Sequence, residues 1–205
     1  MTRLEHYEML DDMPSPGSKQ DRNAKYRSSV PEGKSGIWEV KKFEVEKDLC
    51  LLRMMRDGRG TVPGMYTRLS RNGKVIMSDT DAEFGDLYHF LRLVKGRVLI
   101  HGLGLGIALQ GALLKDVTHV DVVEQSEDVI KLVAPHFTDE RVNIIQGDCF
   151  EHKWNRETKW DIVWHDIWDD LCGDNLPEMS TLKRKFGRRC EWQGCWGEEV
   201  IRRDC

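Results

Sequence analysis

Three glycines at alternate positions separate an apolar run from an apolar helical pattern in RVLIHGLGLGIALQGAL, residues 97–113. Glycine weakens the interior of a helix or a strand, because its backbone loses more conformational freedom on folding than that of other residues. The segment therefore favours a short loop between a strand and a helix. Such a loop lets a ligand approach the backbone, and the helix after it begins with unpaired N–H groups. A tight turn within a core explains the glycines equally well at this point.

The sequence around this loop alternates between apolar strands and helical patterns. The predicted strands are RVLIHG, VTHVDVVE, VNIIQGD and WDIVWHD. The predicted helices are IALQGALLKD and a segment that Ser126 caps and that ends near Pro135. Strands this apolar, connected by single helices, indicate an α/β fold with a Rossmann-like, mostly parallel sheet and helices on both faces.

Two other patterns precede this core. The Asn72-Gly73 pair lies between two β-compatible runs and predicts a hairpin. With IWEVKKFEVE and CLLRMM, it makes residues 37–78 a predicted small antiparallel β unit. The run Thr80-Asp81-Ala82-Glu83 matches a capping box and predicts a helix that Gly96 ends. Apolar residues recur along this helix at helical spacing, namely Phe84, Leu87, Leu91 and Val94.

The length of 205 residues suits one domain, or one domain with a small appendage. We predict a flexible arm at residues 1–35, because this polar stretch has too few branched apolar residues to offset its ordering entropy. The other predicted divisions are the small β unit at 36–79, a Rossmann-like nucleoside-binding core at 80–175, and a C-terminal helix and tail at 176–205.

Charge and hydropathy narrow the classes of partner. No apolar run reaches membrane-spanning length and the N-terminus lacks a signal-peptide pattern, so we expect a soluble, cytoplasmic protein with no membrane partner. The formal net charge of −4 does not favour nucleic acid, and a solvated helix face explains the basic cluster at 183–189 at least as well. The six cysteines are expected to be free thiols, and no ligand spacing predicts a metal site.

Ligands of open α/β sheets bind outside the carboxyl ends of the strands, so the residue that ends each strand is informative. The glycine loop follows the first predicted strand. The second ends at Glu124, about 20 residues beyond the glycines, which is the spacing of an acid that accepts both ribose hydroxyls. A solvated glutamate at a strand end is the alternative explanation.

The third and fourth predicted strands also end in carboxylates. Asp148 can accept a hydrogen bond from an adenine amino group, or form an Asx-type turn. Asp166, with Asp169 and Asp170 after it, could bind or deprotonate an amine, and an exposed acidic turn would have the same sequence. Four strand ends of the same kind favour a nucleoside site. The predicted cofactor-binding residues are Gly102, Leu103, Gly104, Gly106, Glu124, Gln125, Asp148 and Cys149.

Over residues 97–170 the sequence resembles the class I S-adenosylmethionine-dependent methyltransferase superfamily. The spacing Gly-x-Gly-x-Gly favours this branch over dehydrogenases, which usually have Gly-x-Gly-x-x-Gly. Ile100, where many methyltransferases have an acid, and the Asp-x-x-Asp after WDIVWH are similar to the spermidine-synthase-like subgroup. The resemblance implies that Asp166 is the central catalytic carboxylate facing the reacting amine and that Asp169 assists it.

The sequence after Asp170 departs from that superfamily, because its fifth, sixth and seventh strands have no convincing counterparts. We therefore expect a sheet that ends at its fourth strand, with a helix over about 177–186. The exposed edge would be covered by the tail or by a second subunit, which makes a homodimer plausible. The apolar residues of the tail that could cover it are Trp192, Trp196, Val200 and Ile201.

The function predicted from the sequence is that of an S-adenosylmethionine-dependent methyltransferase-like transferase with a small-molecule cofactor. A spermidine-synthase-like aminopropyltransferase, which would use the decarboxylated form of the cofactor, is the first alternative. A non-catalytic nucleoside-binding or structural protein is the second. A polyamine, a protein, a nucleic acid and a small metabolite all stay open as the acceptor.

Overall fold

The computed structural model describes residues 21, 23–46 and 61–204. Its strands are β1 (Gly33–Ser35), β2 (Trp38–Val45), β3 (Gly64–Arg71), β4 (Lys74–Ser78), β5 (Gly96–His101), β6 (Val117–Glu124), β7 (Val142–Gln146), β8 (Trp160–His165) and β9 (Cys190–Cys195). Its α-helices are α1 (Asp81–Asp86), α2 (Tyr88–Leu93), α3 (Ile107–Leu113), α4 (Glu127–Val133), α5 (Leu176–Phe186) and α6 (Glu198–Asp204). Short 3₁₀ turns lie at Ala24–Tyr26, Ala134–His136 and Gly173–Asn175.

Strands β1 to β4 form an antiparallel sheet in chain order. The hairpin predicted at Asn72-Gly73 joins β3 to β4, and both residues have the positive φ angles, 50° and 81°, of a two-residue hairpin turn. The predicted small β unit is thus confirmed for the described residues. The CLLRMM segment at 50–55 lies outside them.

Strands β5 to β9 form a parallel sheet in the order β7-β6-β5-β8-β9. The predicted Rossmann-like α/β class is confirmed, because helices connect parallel strands that start from the centre of the sheet and move outward in both directions. Alternate residues of β5 face opposite hydrophobic clusters: Val98 and Ile100 contact one, and Leu99 contacts the other. This two-sided burial explains why the core strands are apolar almost without interruption.

The expectation that the sheet ends at its fourth strand is wrong. Cys190–Cys195 forms a fifth parallel strand beside β8. Its sequence, CEWQGC, lacks a run of branched apolar residues, so the pattern alone did not indicate a strand. Two contacts compensate for its weak strand propensity. The strand pairs with β8, and Trp192 stacks on Trp164 with ring centroids 6.4 Å apart. The homodimer expected from an exposed fourth strand stays a prediction.

The helix predicted after Thr80 is two short helices, α1 and α2, with a break at Leu87. Thr80 is the N-cap residue of α1 as predicted, but its hydroxyl does not cap the helix and instead shares a 3.0 Å hydrogen bond with the Ser78 hydroxyl. The helix predicted to end at Gly96 ends at Leu93, and Gly96 instead begins β5.

The predicted division of the chain into arm, β unit, core and tail stays a prediction. Most of residues 1–22 lie outside the described residues, and the later part of the predicted arm contains a 3₁₀ turn and β1. This later part contacts the core, since Ser28 N–H donates to the Asp79 carboxylate at 3.0 Å. Within the described residues, no helix combines the length and the apolar character needed to cross a membrane.

Candidate nucleoside site

A cavity of about 470 Å³ lies at the carboxyl ends of β5, β6, β7 and β8, where the small sheet covers them. The predicted site residues that line it are Gly102, Leu103, Gly104, Glu124, Gln125, Asp148, Cys149, Asp166 and Asp169. Gly106 is the predicted site residue that does not line it. Four segments far apart in sequence therefore meet at one cavity, as the ligand rule for open α/β sheets predicts.

The glycine loop is shaped by two different close contacts. At Gly104, with φ +51°, an added Cβ would overlap the sulfur of Met77 on β4. At Gly106, with φ +77°, it would overlap the ring of Phe137. Gly104 thus lets the sulfur of Met77 approach the loop, whereas Gly106 lets the start of α3 pack against the ring of Phe137.

Met77 connects the small sheet to the glycine loop. Its sulfur accepts a 3.1 Å hydrogen bond from the backbone N–H of Leu105. No sequence pattern predicts this contact, since it depends on how the small sheet packs on the core. Other lining residues from the small sheet that sequence reasoning missed are Ile37, Trp38, Leu69, Arg71 and Ile76.

The carboxylate of Glu124 joins the glycine loop to the loop after β6. One oxygen accepts a hydrogen bond from Leu103 N–H at 2.8 Å, and the other accepts from Ser126 N–H at 2.7 Å. An ionised carboxylate has about four acceptor sites, so this arrangement leaves capacity for two ligand hydroxyls. The strand end therefore holds a fixed acceptor at the edge of the cavity.

Asp148 forms the Asx-type turn that the sequence left open as an alternative. Its Oδ1 accepts from Phe150 N–H at 2.7 Å, and its carbonyl accepts from His152 N–H at 2.7 Å. Its Oδ2 has no hydrogen bond among the described residues and is available to a ligand. Cys149 beside it is buried, and burial raises the pKa of its thiol to about 12. This thiol is neutral at physiological pH and is not an activated nucleophile.

Lys185 of α5 holds the turn after β7 in place. Its ammonium group donates to the carbonyls of Cys149, Phe150 and His152 at 2.9, 2.7 and 3.1 Å. Lys183, from the same basic cluster, pairs with Glu198 at 3.0 Å. These lysines therefore belong to intramolecular contacts, which the interpretation of the cluster as a solvated face did not anticipate.

Asp166 follows β8, and its N–H donates to the carbonyl of His101 at 2.9 Å. Burial raises the pKa of its carboxyl to about 7, and the charge of Asp86 acts in the same direction. The nearby Trp164 indole opposes this rise, although no hydrogen bond of normal geometry joins the two groups. A carboxyl with this pKa can bind or release a proton near neutral pH.

Asp169 lies in the same cavity and forms an ion pair with Arg71 of β3. The guanidinium carbon of Arg71 also lies over the ring of Trp38, 5.4 Å from its centroid, in a cation–π contact. Asp170 is exposed and pairs with Lys74 at 2.5 Å. Asp169 therefore meets the small sheet through Arg71, a contact that the sequence pattern did not predict.

Two buried histidines lie directly before the residues of the site. The Nδ1 atoms of His101 and His165 are 2.8 Å apart, and burial lowers the pKa of both rings, to about 4 for His165. Both rings are therefore neutral. The His165 Nε2–H donates to Gln193 Oε1 at 3.3 Å, because the Gln193 amide N–H donates to a carbonyl of α5. His165 Nδ1 must then accept from His101 Nδ1–H, a bond that ties β5 to β8 beneath the cavity.

No family model matches this sequence, and no curated protein matches it either. Solved structures that it is similar to include an S-adenosylmethionine-dependent methyltransferase from Mesorhizobium loti, at 16% identity over 49% of each chain with a TM-score of 0.38. They also include the spermidine synthase of Thermotoga maritima, at 21% identity over 66% of this chain and 47% of that one, TM-score 0.41. A third is protein arginine methyltransferase 10 of Arabidopsis thaliana, at 20% identity over 52% of this chain and 32% of that one, TM-score 0.39.

The matched part of the chain spans slightly less than half the length of each of the first two proteins. At such identities and TM-scores, the similarities do not identify a function. The interpretation of function depends on the site itself.

Proposed function

We propose that the chain binds S-adenosylmethionine and transfers its methyl group to an acceptor. The observation that supports this proposal is the meeting of the glycine loop, Glu124, Asp148 and Asp166 at one cavity. The residues present fit a nucleoside. Glu124 has acceptor capacity left for the ribose hydroxyls, and Asp148 Oδ2 is available to an adenine amino group.

The cofactor would supply a methyl group on a sulfonium centre, which a nucleophile displaces in line. Asp166 would orient an amine acceptor and, when ionised, take the proton that the amine loses. The small sheet over the cavity would exclude water and fix the approach of the acceptor, so alignment and desolvation would provide most of the acceleration.

Isothermal titration calorimetry with S-adenosylmethionine and S-adenosylhomocysteine tests the binding step. We expect both to bind to the purified, folded protein. Absence of binding to both would rule out the proposal and leave a structural role. Methyl transfer is then followed with cofactor tritiated in the methyl group, and label in an acceptor supports the transferase assignment.

The glycine loop provides a sharper test. Gly104→Arg should lower the affinity for S-adenosylhomocysteine by at least about 100-fold, because a side chain there would displace Met77, which also lines the cavity, and would strain a positive φ. Gly85→Arg is the matched control, since Gly85 has no neighbour within 4 Å of an added Cβ and no positive φ. Retention of affinity in Gly104→Arg would place the nucleoside elsewhere.

Aminopropyl transfer from the decarboxylated cofactor is the second candidate, favoured by the charge of the cavity. Among the described residues, Arg71 is the lining residue with a lysine or arginine side chain, and six carboxyl groups line the cavity, those of Glu83, Glu124, Asp148, Asp166, Asp169 and Glu178. Such a cavity favours cationic ligands. Transfer of label from the aminopropyl group and not from the methyl group would select this candidate.

A further inference from the structure

We infer that Arg71 determines which donor the cavity accepts, by binding the α-carboxylate of an amino-acid-bearing sulfonium nucleoside. This inference rests on the proposed function. It concerns one side chain of the small antiparallel sheet, whereas the residues that define the nucleoside site follow strands of the parallel sheet.

The first argument is one of charge. A cavity lined by six carboxyl groups repels a ligand carboxylate unless a cation compensates for it. Among the described lining residues, Arg71 alone has a lysine or arginine side chain. This guanidinium is therefore the group among the described residues that can compensate for the carboxylate of a donor.

The second argument is that Arg71 has hydrogen-bond donors that no described residue uses. Its Nη2 donates to Asp169, whereas its Nε and Nη1 form no hydrogen bond with the described residues. The contact with the ring of Trp38, 5.4 Å from the guanidinium carbon to the ring centroid, restrains the position of the guanidinium. A guanidinium with two unused N–H donors can bind both oxygens of a carboxylate in a bidentate manner.

The third argument is position. Leu69 pairs with Met77, whose sulfur contacts the glycine loop, and Arg71 lies two residues farther along β3. Two residues of a strand span about 7 Å, and an arginine side chain covers a similar distance. Arg71, Gly104 and Glu124 line the same cavity, so a donor bound on Glu124 and Gly104 would share that cavity with the guanidinium.

The test compares two ligands that differ only in the carboxylate, S-adenosylhomocysteine and its decarboxylated form. In Arg71→Met, we expect affinity for S-adenosylhomocysteine to fall by about tenfold or more, because a charge-assisted pair is lost. Affinity for the decarboxylated ligand should stay the same or rise. Arg71→Lys keeps the positive charge but not the planar guanidinium, so it should lower the affinity for S-adenosylhomocysteine by less than Arg71→Met does.

Lys74→Met is the matched control. Lys74 lies on the same hairpin, pairs with the next carboxylate along the chain and does not line the cavity, so its loss removes the same charge without changing the ratio of the two affinities. Asp169→Asn should raise the affinity for S-adenosylhomocysteine, since it releases Arg71 and removes a repelling charge.

The outcomes separate the two proposals. If the wild type binds both ligands and Arg71→Met weakens both equally, the role of Arg71 is refuted while the nucleoside site stands. If the wild type binds neither ligand, both proposals fail. A thermal unfolding midpoint within about 3 °C of that of the wild type shows that Arg71→Met is folded. If Arg71→Met does not fold, the ratio of the two ligand affinities in Arg71→Lys tests the role of Arg71 instead.

Discussion

At the scale of single residues, the chemistry of the cavity depends most on Asp166. Because burial raises the pKa of its carboxyl to about 7, this group changes charge across the neutral range. A carboxyl group that ionises near neutral pH couples both ligand binding and stability to proton concentration. Each coupling has a sign that can be measured.

The affinity for a cationic donor should rise with pH. As Asp166 ionises between about pH 6 and pH 8, the ratio of the affinities for S-adenosylmethionine and S-adenosylhomocysteine should increase by up to about tenfold, because only the former has a sulfonium charge. Calorimetry at both pH values measures the ratio. In Asp166→Asn the ratio should not vary with pH, and a persistent rise in that variant would assign the effect to another group.

The free energy of unfolding should fall as pH rises. The unfolded carboxyl ionises near pH 3.8 and the folded one near pH 7, so between these values the folded state binds more protons and loses stability with increasing pH. Asp166→Asn should remove this contribution and be more stable than the wild type above about pH 7. Urea unfolding at several pH values measures it, and identical pH profiles for both proteins would contradict the assignment.

At the scale of elements, sequence patterns predicted what short-range chemistry determines. The four apolar core strands and the hairpin at Asn72-Gly73 are confirmed, as is the cap at Ser126, whose hydroxyl accepts from Val129 N–H. Strand β9 was missed because its pairing with β8, and not its own composition, stabilises it. The break at Leu87 was missed for a similar reason, since a helical period does not show where packing divides a helix.

The Ser126 cap allows a stability test of α4. Ser126→Ala should lower the free energy of unfolding by about 1 kcal/mol, because it leaves the N–H of Val129 without its acceptor. Ser126→Asp should retain the stability, since aspartate is an equally good cap and favours the helix dipole. Chemical denaturation measures both. Equal losses in the two variants would mean that the hydroxyl acts through some contact other than the cap.

The strand ends of the site were predictable because parallel strands place their carboxyl ends at one edge. The contribution of the small sheet was not, since Arg71 and Met77 reach the cavity only through tertiary packing. The role of Lys185 was not predictable either, because a sequence does not show that three carbonyls surround its ammonium group.

At the scale of the whole molecule, the two sheets share one hydrophobic cluster. Val40 of β2 and Leu69 of β3 are buried in the same cluster as Val98 and Ile100 of β5. A hydrogen bond of 2.6 Å from the Ser35 hydroxyl to the Asp128 carboxylate also joins β1 to α4. We therefore expect the small sheet and the core to unfold together.

Leu69→Ala tests this cooperativity. Loss of a fully buried leucine should lower the free energy of unfolding by about 2–5 kcal/mol, in one transition that includes both sheets. Circular dichroism and calorimetry should report the same midpoint. Met65→Ala on the same strand is the control, because Met65 is 56% exposed. Two separate transitions in Leu69→Ala would show that the sheets are independent units.

The parallel direction of β9 has a practical consequence. Because its carboxyl end lies at the same edge as the site, the next residue, Trp196, lines the cavity with Trp38 and Trp168. Three of the seven tryptophans of the chain thus surround the place proposed for the nucleoside. Occupation of the cavity would change the polarity around these indoles, so intrinsic fluorescence can report binding without a label.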